Sequence, residues 1–266
     1  MAIEIDLIQR SEEWLLARKS TIGSSEVSSI SGTNPWKSSY KLWLEKTGRV
    51  AGQFFNSAMQ RGVEFEDEAR GKLEDVTGLK FTPKVFRDDY YPFLQVSLDG
   101  ITDDGKTICE IKCPTSETLR EYCLKGEIPP YYETQIDYQL IVSGAKGAKF
   151  FVWYSPTEHY IVDMKVDLNR QRELKEKVIY WWQEYVVGAK SPTPLEGDYF
   201  EAMDTIWAKL ALERSELTEK INKLKLELEA NDQKMKSYMQ TYNRPAVKGK
   251  GIKVHLKENS IEVAND

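Results

Sequence analysis

Two runs of alternating side chains, Val96 to Ile101 and Thr107 to Lys112, flank the turn residues Asp104 and Gly105. An Asp-Gly pair between alternating runs is the strongest short-range signal for a β-hairpin. A two-residue loop there pairs residue 101 with 108, 99 with 110 and 97 with 112, and a four-residue loop centred on the same turn keeps that parity. Side chains alternate across a strand, so Ser97, Asp99, Glu110 and Lys112 share one face while Leu98, Cys109 and Ile111 take the other and suit a core. Asp99 then stands opposite Glu110, with Cβ atoms about 4.5–5.5 Å apart. Opposed carboxylates destabilise a sheet unless something neutralises them. A hairpin lying in solvent is one resolution. The other is a divalent cation: Mg²⁺ takes one or two carboxylates with water and phosphate oxygens, and Lys112 on the same face adds a point cation for developing charge. At an open polar site of this kind, Asp99→Ala and Lys112→Ala are expected to leave folding intact.

The rest of the chain supplies helices on either side of these strands. Ser11 reads as an N-cap with Glu12 and Glu13 in the first turn. Further helices are expected near Ser24 or Ser25, from about Ser38 to Gly48, through a period of Ala58, Val63, Phe65, Ala69, Leu73 and Val76 ending at Gly78, over residues 131–144, and up to Gly188. Strands are expected between Asp89-Tyr90-Tyr91-Pro92 and the Asp-Gly turn, and over 146–166. Helices around a run of strands make an α/β fold with a central mixed sheet. The organisation expected is a core over 1–190, a linker over 191–199, a long helix over 200–243 and a small β-hairpin around Glu258-Asn259 within 244–266. The long helix shows Trp207, Arg214, Ile221, Leu228 and Met235 at heptad a, with Leu210, Leu217, Leu224, Asn231 and Tyr238 at d. Such a seam signals a coiled coil or a helix laid on the core.

Composition limits the classes. At 41% hydrophobic and 30% charged over 266 residues, the chain reads as globular, and no stretch of eighteen apolar residues offers a membrane span. The opening MAIEIDLIQRSEEW has acids where a signal peptide needs a basic start, which places the expected location in the cytoplasm. Cys109, Cys113 and Cys123 lack Cys-x-x-Cys spacing, so a disulfide framework, a zinc site and a four-thiolate iron–sulfur site are all disfavoured. The net charge of −5 gives no general attraction for nucleic acid, so any such binding rests on local clusters. Trp181, Trp182 and Tyr185 read as packing residues rather than base-stacking ones.

Asp99, ten intervening residues and Glu110-Ile111-Lys112 fit the PD-(D/E)xK nuclease pattern, with Leu98 where proline is usual. Four separated blocks, residues 14–30, 61–70, 96–116 and 131–144, follow in an order and spacing that resembles the lambda-exonuclease or YqaJ-type phage recombinase family over about residues 10–190. The resemblance implies a restriction-endonuclease-like core and an enzyme that degrades duplex DNA from the 5′ end with Mg²⁺, or Mn²⁺ in its place, leaving 3′ overhangs. It implies Asp99, Glu110 and the Ile111 carbonyl as metal ligands, Lys112 as catalytic lysine, Glu66 as a further acid acting through water, and Gln135 beside the site. Arg18, Ser25 and Ser97 match positions that hold the terminal 5′ phosphate, and Tyr132 lines the site. Implied partners are DNA ends, a single-strand annealing protein and other copies in a ring trimer, in a phage-infected or prophage-bearing bacterial cell. Two alternatives stand beside this: a structure-specific endonuclease with the same site, and an inert nuclease-like assembly module.

Overall fold

The computed structural model of the protein describes residues 2–50, 57–200, 202, 204–257 and 260–265. It divides into two compact units, Met1–Tyr199 and Phe200–Asp266. The first contains strands β1 (Ala2–Ile5), β2 (Thr82–Asp88), β3 (Gln95–Ile101), β4 (Thr107–Lys112), β5 (Gly147–Ser155) and β6 (Glu158–Asp163). Its helices are α1 (Glu12–Lys19), α2 (Val27–Ser31), α3 (Ser39–Lys46), α4 (Ser57–Thr77), α5 (Thr118–Leu124), α6 (Pro130–Ser143) and α7 (Leu168–Trp181). The six strands form one sheet in sequence order, antiparallel throughout except for the parallel pair β4 and β5, whose crossover carries α5 and α6. The result is the mixed α/β core expected from the sequence. β1, an edge strand paired with β2, is an addition to it.

Local signals set most boundaries. The Ser11 hydroxyl accepts from Trp14 N at 3.2 Å and starts α1. The Ser38 hydroxyl does the same from Lys41 N at 3.0 Å for α3. The helix expected near Ser24 is a 3₁₀ turn, Ser24–Glu26, leading into α2. In α4, Ala69 and Leu73 are buried, whereas Val63 and Val76 of the expected stripe face solvent. The helix meets the sheet through a shorter face than its apolar spacing implies.

The two faces of the sheet have separate cores. Ile108, Phe150 and Val152 pack with Tyr138 of α6 and Leu42 of α3 in the larger one. Cys109, Ile111, Phe151 and Trp153 pack with Ala69, Leu73 and Phe81 in the smaller one under α4. Leu98 is buried as expected but belongs to the larger cluster, not with Cys109 and Ile111. Trp181 and Trp182 are buried in that larger core. Gly100 is required by close approach: a Cβ there would lie 2.6 Å from Phe81 Cβ and 2.9 Å from Cys109 Sγ. All three cysteines are buried free thiols. Residues 191–199, expected as a linker, include a 3₁₀ turn whose Asp198 accepts from Ser38 Oγ at 2.8 Å.

The second unit holds α8 (Thr205–Thr241) and a three-stranded antiparallel sheet of β7 (Ala246–Gly249), β8 (Ile252–Leu256) and β9 (Ile261–Asn265). The single hairpin expected in the tail is therefore two. The additional turn is at Lys250-Gly251, both at positive φ, and the expected turn residues Glu258 and Asn259 lie outside the described residues. Among the described residues no helix is long and apolar enough to cross a membrane.

One buried ion pair ties the β2–β3 turn to α7. Asp88 accepts from Tyr90 N at 2.9 Å, Tyr91 N at 3.0 Å and Lys175 Nζ at 2.7 Å. Burial works to raise its pKa, but the Lys175 ammonium and the two amides outweigh this and hold it below the ordinary 3.8. A depressed carboxylate stabilises the fold above its unfolded-state value and loses that contribution as pH falls through the folded-state value. Asp88→Asn is therefore expected to cost roughly 1–3 kcal/mol at pH 7. Denaturation midpoints measured from pH 7 downward should converge below the ordinary carboxylate pKa, and a constant gap across the series would refute the assignment.

Candidate active site

β3 and β4 pair only at Gly100 with Cys109 and at Ile101 with Ile108. The register is the expected one, but the loop has four residues: Thr102 N donates to Thr107 O at 2.9 Å, leaving residues 103–106 to turn. Asp104 Oδ1 accepts from Thr102 Oγ1 at 2.7 Å and Lys106 N at 3.0 Å inside it. Beyond Gly100 the strands part, β3 continuing along β2 and β4 along β5. Asp99 fills the opening. Its Oδ2 accepts from the Ile111 amide at 2.8 Å, a side chain standing where a ladder partner would be.

Glu110 faces α6 and is almost fully enclosed, its side chain 2% exposed. Its Oε1 accepts from Lys112 Nζ and from Gln135 Nε2, the latter at 2.6 Å, and its Oε2 accepts from Gln139 Nε2 at 2.5 Å. Gln135 and Gln139 are one turn apart on α6, so their amides point the same way. Tyr132, one turn earlier, lies under Lys112, with Nζ 4.8 Å from the ring centroid. Gln139 was not anticipated. Its Gln-x-x-x-Gln spacing from Gln135 is the sequence signal for it.

Charge at this point is concentrated. Loss of solvent around Asp99 and then the charge of Glu110 push its carboxyl well above the ordinary range, with Glu66 adding to this against the pull of Lys112. Burial alone would lower Lys112, but Glu110, Tyr132 and Asp99 outweigh it and hold the ammonium protonated.

Glu66 is turned toward Asp99 while Glu64, Asp67 and Glu68 face solvent. It is held there by two arginines that the sequence reading did not single out. Arg70 Nη2 binds Glu66 Oε1 at 2.8 Å while its Nε donates to the Asp99 carbonyl at 2.7 Å, and Arg10 pairs with Glu66 Oε2.

The remaining candidates form a connected row. Trp14 Nε1 donates to Ser97 Oγ at 2.8 Å, the Arg18 guanidinium lies 4.8 Å from the Trp14 ring centroid, and Arg18 Nη2 donates to Ser25 Oγ at 3.3 Å. Trp14 is the unanticipated link, four residues before Arg18 on α1. Glu26 lies 3.4 Å from Arg18 Nη2 and 2.8 Å from the buried Lys46 Nζ. Two cations against one acid leave this cluster positive, suited to an anion.

The donor set fits a hard divalent cation. Two carboxylates converge with a backbone carbonyl beside them, one Asp99 oxygen is spent on Ile111 N, and Gln139 Oε1 is buried with no hydrogen-bond partner among the described residues. Among those residues no cluster of three or more His, Cys, Asp or Glu side chains is placed to hold a metal alone. The fit is thus to an ion such as Mg²⁺, which takes much of its shell from water and phosphate. Asp99, Glu110 and the Ile111 carbonyl would hold it, Glu110 doing so while it also accepts from Lys112, Gln135 and Gln139. Glu66, paired with Arg10 and Arg70, would act through water.

Without a cation the opposed acids oppose folding. Asp99→Asn keeps an acceptor for Ile111 N and removes one charge, so it is expected to stabilise the protein by about 1 kcal/mol in chelator at pH 7. The sign follows from a raised carboxyl pKa: its destabilisation is present at high pH and fades as pH falls toward the ordinary carboxylate value. Thermal melts of both proteins at pH 7 and pH 4.5 measure this, and a variant less stable than wild type at pH 7 would refute it.

The YqaJ-like viral recombinase domain model matches residues 13–146. Uncharacterized protein YqaJ of Bacillus subtilis is 29% identical over 198 residues, covering 68% of this chain and 58% of that protein. Protein D345L of African swine fever virus is 26% identical over 164 residues, covering 51% of this chain and 46% of that protein. The chain thus spans about half the length of the curated relatives it matches. An alkaline exonuclease, LHK-Exo from Laribacter hongkongensis, shares the fold with a TM-score of 0.60 at 24% identity, over 67% of this chain and 94% of that one. The same exonuclease has also been solved in complex with dAMP. With half its length matched, and the parted strands, the acid pair and the Arg18 row all falling inside the match, this chain belongs to the YqaJ-like viral recombinase domain family.

Proposed function

We propose that the protein is a metal-dependent deoxyribonuclease that resects linear duplex DNA from its 5′ end and leaves 3′ overhangs for an annealing protein. The observation that carries this reading is the convergence of Asp99, Glu110 and Lys112 where β3 and β4 part. Membership of a recombinase family and a fold shared with an alkaline exonuclease support it, and the dAMP bound to that exonuclease is of the product class the reading expects.

When bound, Mg²⁺ or Mn²⁺ would neutralise the acid pair and polarise the scissile phosphoryl group. Gln135 and Gln139 orient the Glu110 carboxylate. Lys112, kept protonated, supplies a cation for charge that builds on the phosphate oxygens. Arg18, Ser25 and Ser97, braced by Trp14, offer a donor-rich positive pocket for the terminal 5′ phosphate, and a phosphate seated there sets which bond reaches Asp99 and Glu110. Arg70, through the Asp99 carbonyl and Glu66, keeps β3 in place beside them.

End-labelled linear duplex with Mg²⁺, with and without EDTA, tests the reading. Shortening of the 5′-labelled strand that EDTA stops is expected; cutting that survives chelation, or resection from the 3′ end, would overturn it. Because Glu110 is enclosed, Lys112→Ala strands a buried charge and is expected to cost stability, contrary to the open site anticipated from sequence. The informative variant is Asp99→Asn, which should stay folded and lose at least about a hundredfold in cutting rate. Arg18→Ala should bring the ratio of rates on 5′-phosphorylated and 5′-hydroxyl ends to about one, and an unchanged preference would remove Arg18 from the phosphate pocket.

A further inference from the structure

α8 is a single helix of 37 residues, roughly 55 Å long at 1.5 Å per residue. Its apolar seam faces solvent: Leu210, Leu217, Ile221, Leu224 and Leu228 are each between 50% and 62% exposed. A stripe of this length, repeating every 3.5 residues on average, is the surface that a second helix covers in a coiled coil. We propose that α8 pairs with α8 of a second copy of this chain, antiparallel, about a twofold axis between Asn222 and Lys223.

The argument comes from the residues that are not apolar. Arg214 at a and Asn231 at d interrupt the seam. In a parallel pair in register, the two Arg214 side chains meet each other at the interface. The flanking positions then bring Lys220 toward the partner's Lys225 and Glu227 toward the partner's Asp232, so each neighbouring pair has like charge. Antiparallel pairing with full overlap reverses all three. Arg214 faces the partner's Asn231, so the polar positions share a layer. Ile221 faces the partner's Leu224, and the centre of the seam stays apolar. On the flank, Glu213 meets the partner's Lys234 and Lys220 meets the partner's Glu227, each contact occurring twice by symmetry. Side chains at these positions lean toward the N-terminus of their own helix, which in this orientation turns the two g residues of a pair toward each other. The same charges that repel in one orientation attract in the other, and flanking charges of this kind set partner and direction. The complementarity is of the helix with itself, so a second copy is the occupant it specifies. Nothing in it depends on the reading of the active site.

The full chain tests this by sedimentation or light scattering at tens of micromolar. An even number of copies is expected, a dimer or, with the core in the ring trimer that the resemblance implies, a hexamer; a monomer, or a trimer, overturns the proposal. Orientation is read by mild oxidation of L210C alone, M235C alone and an equal mixture after subunit exchange, with wild type as control because Cys109, Cys113 and Cys123 are buried. A disulfide-linked dimer in the mixture and in neither single variant is expected, whereas linkage of a single variant to itself means parallel helices and overturns it. Lys220→Glu should weaken the dimer about tenfold through its two exposed pairs, and K220E/E227K should restore it. Tightening by Lys220→Glu is the parallel outcome and counts against the proposal.

Discussion

The bond from the Ile111 amide to the Asp99 carboxylate, at 2.8 Å, is the contact on which the arrangement of the candidate site depends. A β-ladder that continued past Gly100 and Cys109 would satisfy the Ile111 amide with a carbonyl and leave Asp99 on the surface of a closed sheet. Here the strands diverge after two pairs while β4 stays paired with β5 on its other edge along its whole length, and the amide is satisfied by a side chain. A buried backbone N–H must find a partner, so the divergence and the position of Asp99 are one event. Gly100 permits it by letting β3 close against Phe81 and Cys109 at the last paired step.

Around this point the protein holds more negative charge than folding alone favours. Asp99 carries a raised pKa, with Glu110 and Glu66 both contributing to it. The opposing forces come from three elements: Lys112 on β4, the two α6 amides on Glu110, and the Arg70–Glu66 pair on α4. Among the described residues Lys112 is the ammonium paired with these acids, and the proposed cation would offset the charge that it leaves. The Arg18 row has the opposite sign, because Lys46 offsets Glu26. The two regions meet along β3, at Ser97 and Asp99 two residues apart. The proposed substrate, a polyanion with a terminal phosphate, would meet that sequence of charges.

Much of this was legible in the residues. The Asp104-Gly105 turn, the register that sets Gly100 by Cys109 and Ile101 by Ile108, the Ser11 and Ser38 caps and the α/β order follow from local chemistry that needs no distant partner. The expected alternation fails at Leu98, because β3 is irregular against β2 between Leu98 and Ile101. The companion blocks around Arg18, Glu66 and Gln135 were legible through resemblance. Gln139, Trp14, Arg70 and Arg10 were not, since each acts through a residue far away in sequence, Glu110, Ser97, Asp99 and Glu66 in turn. The apolar spacing of α4 overstated its buried face, because Val63 and Val76 have a helical period but no surface covering them among the described residues.

The amino-acid sequence by itself determined the turn, the hairpin register, the helix starts and the heptad seam of α8, all consequences of side-chain spacing and backbone preference over a few residues. Only the tertiary structure decided that β3 and β4 part, that Glu110 is enclosed rather than open, and that Glu66 is spent on two arginines. Those outcomes depend on which surfaces meet across the sheet. An enclosed carboxylate takes its character from donors brought to it by other elements, and such donors are named by packing, not by spacing along the chain.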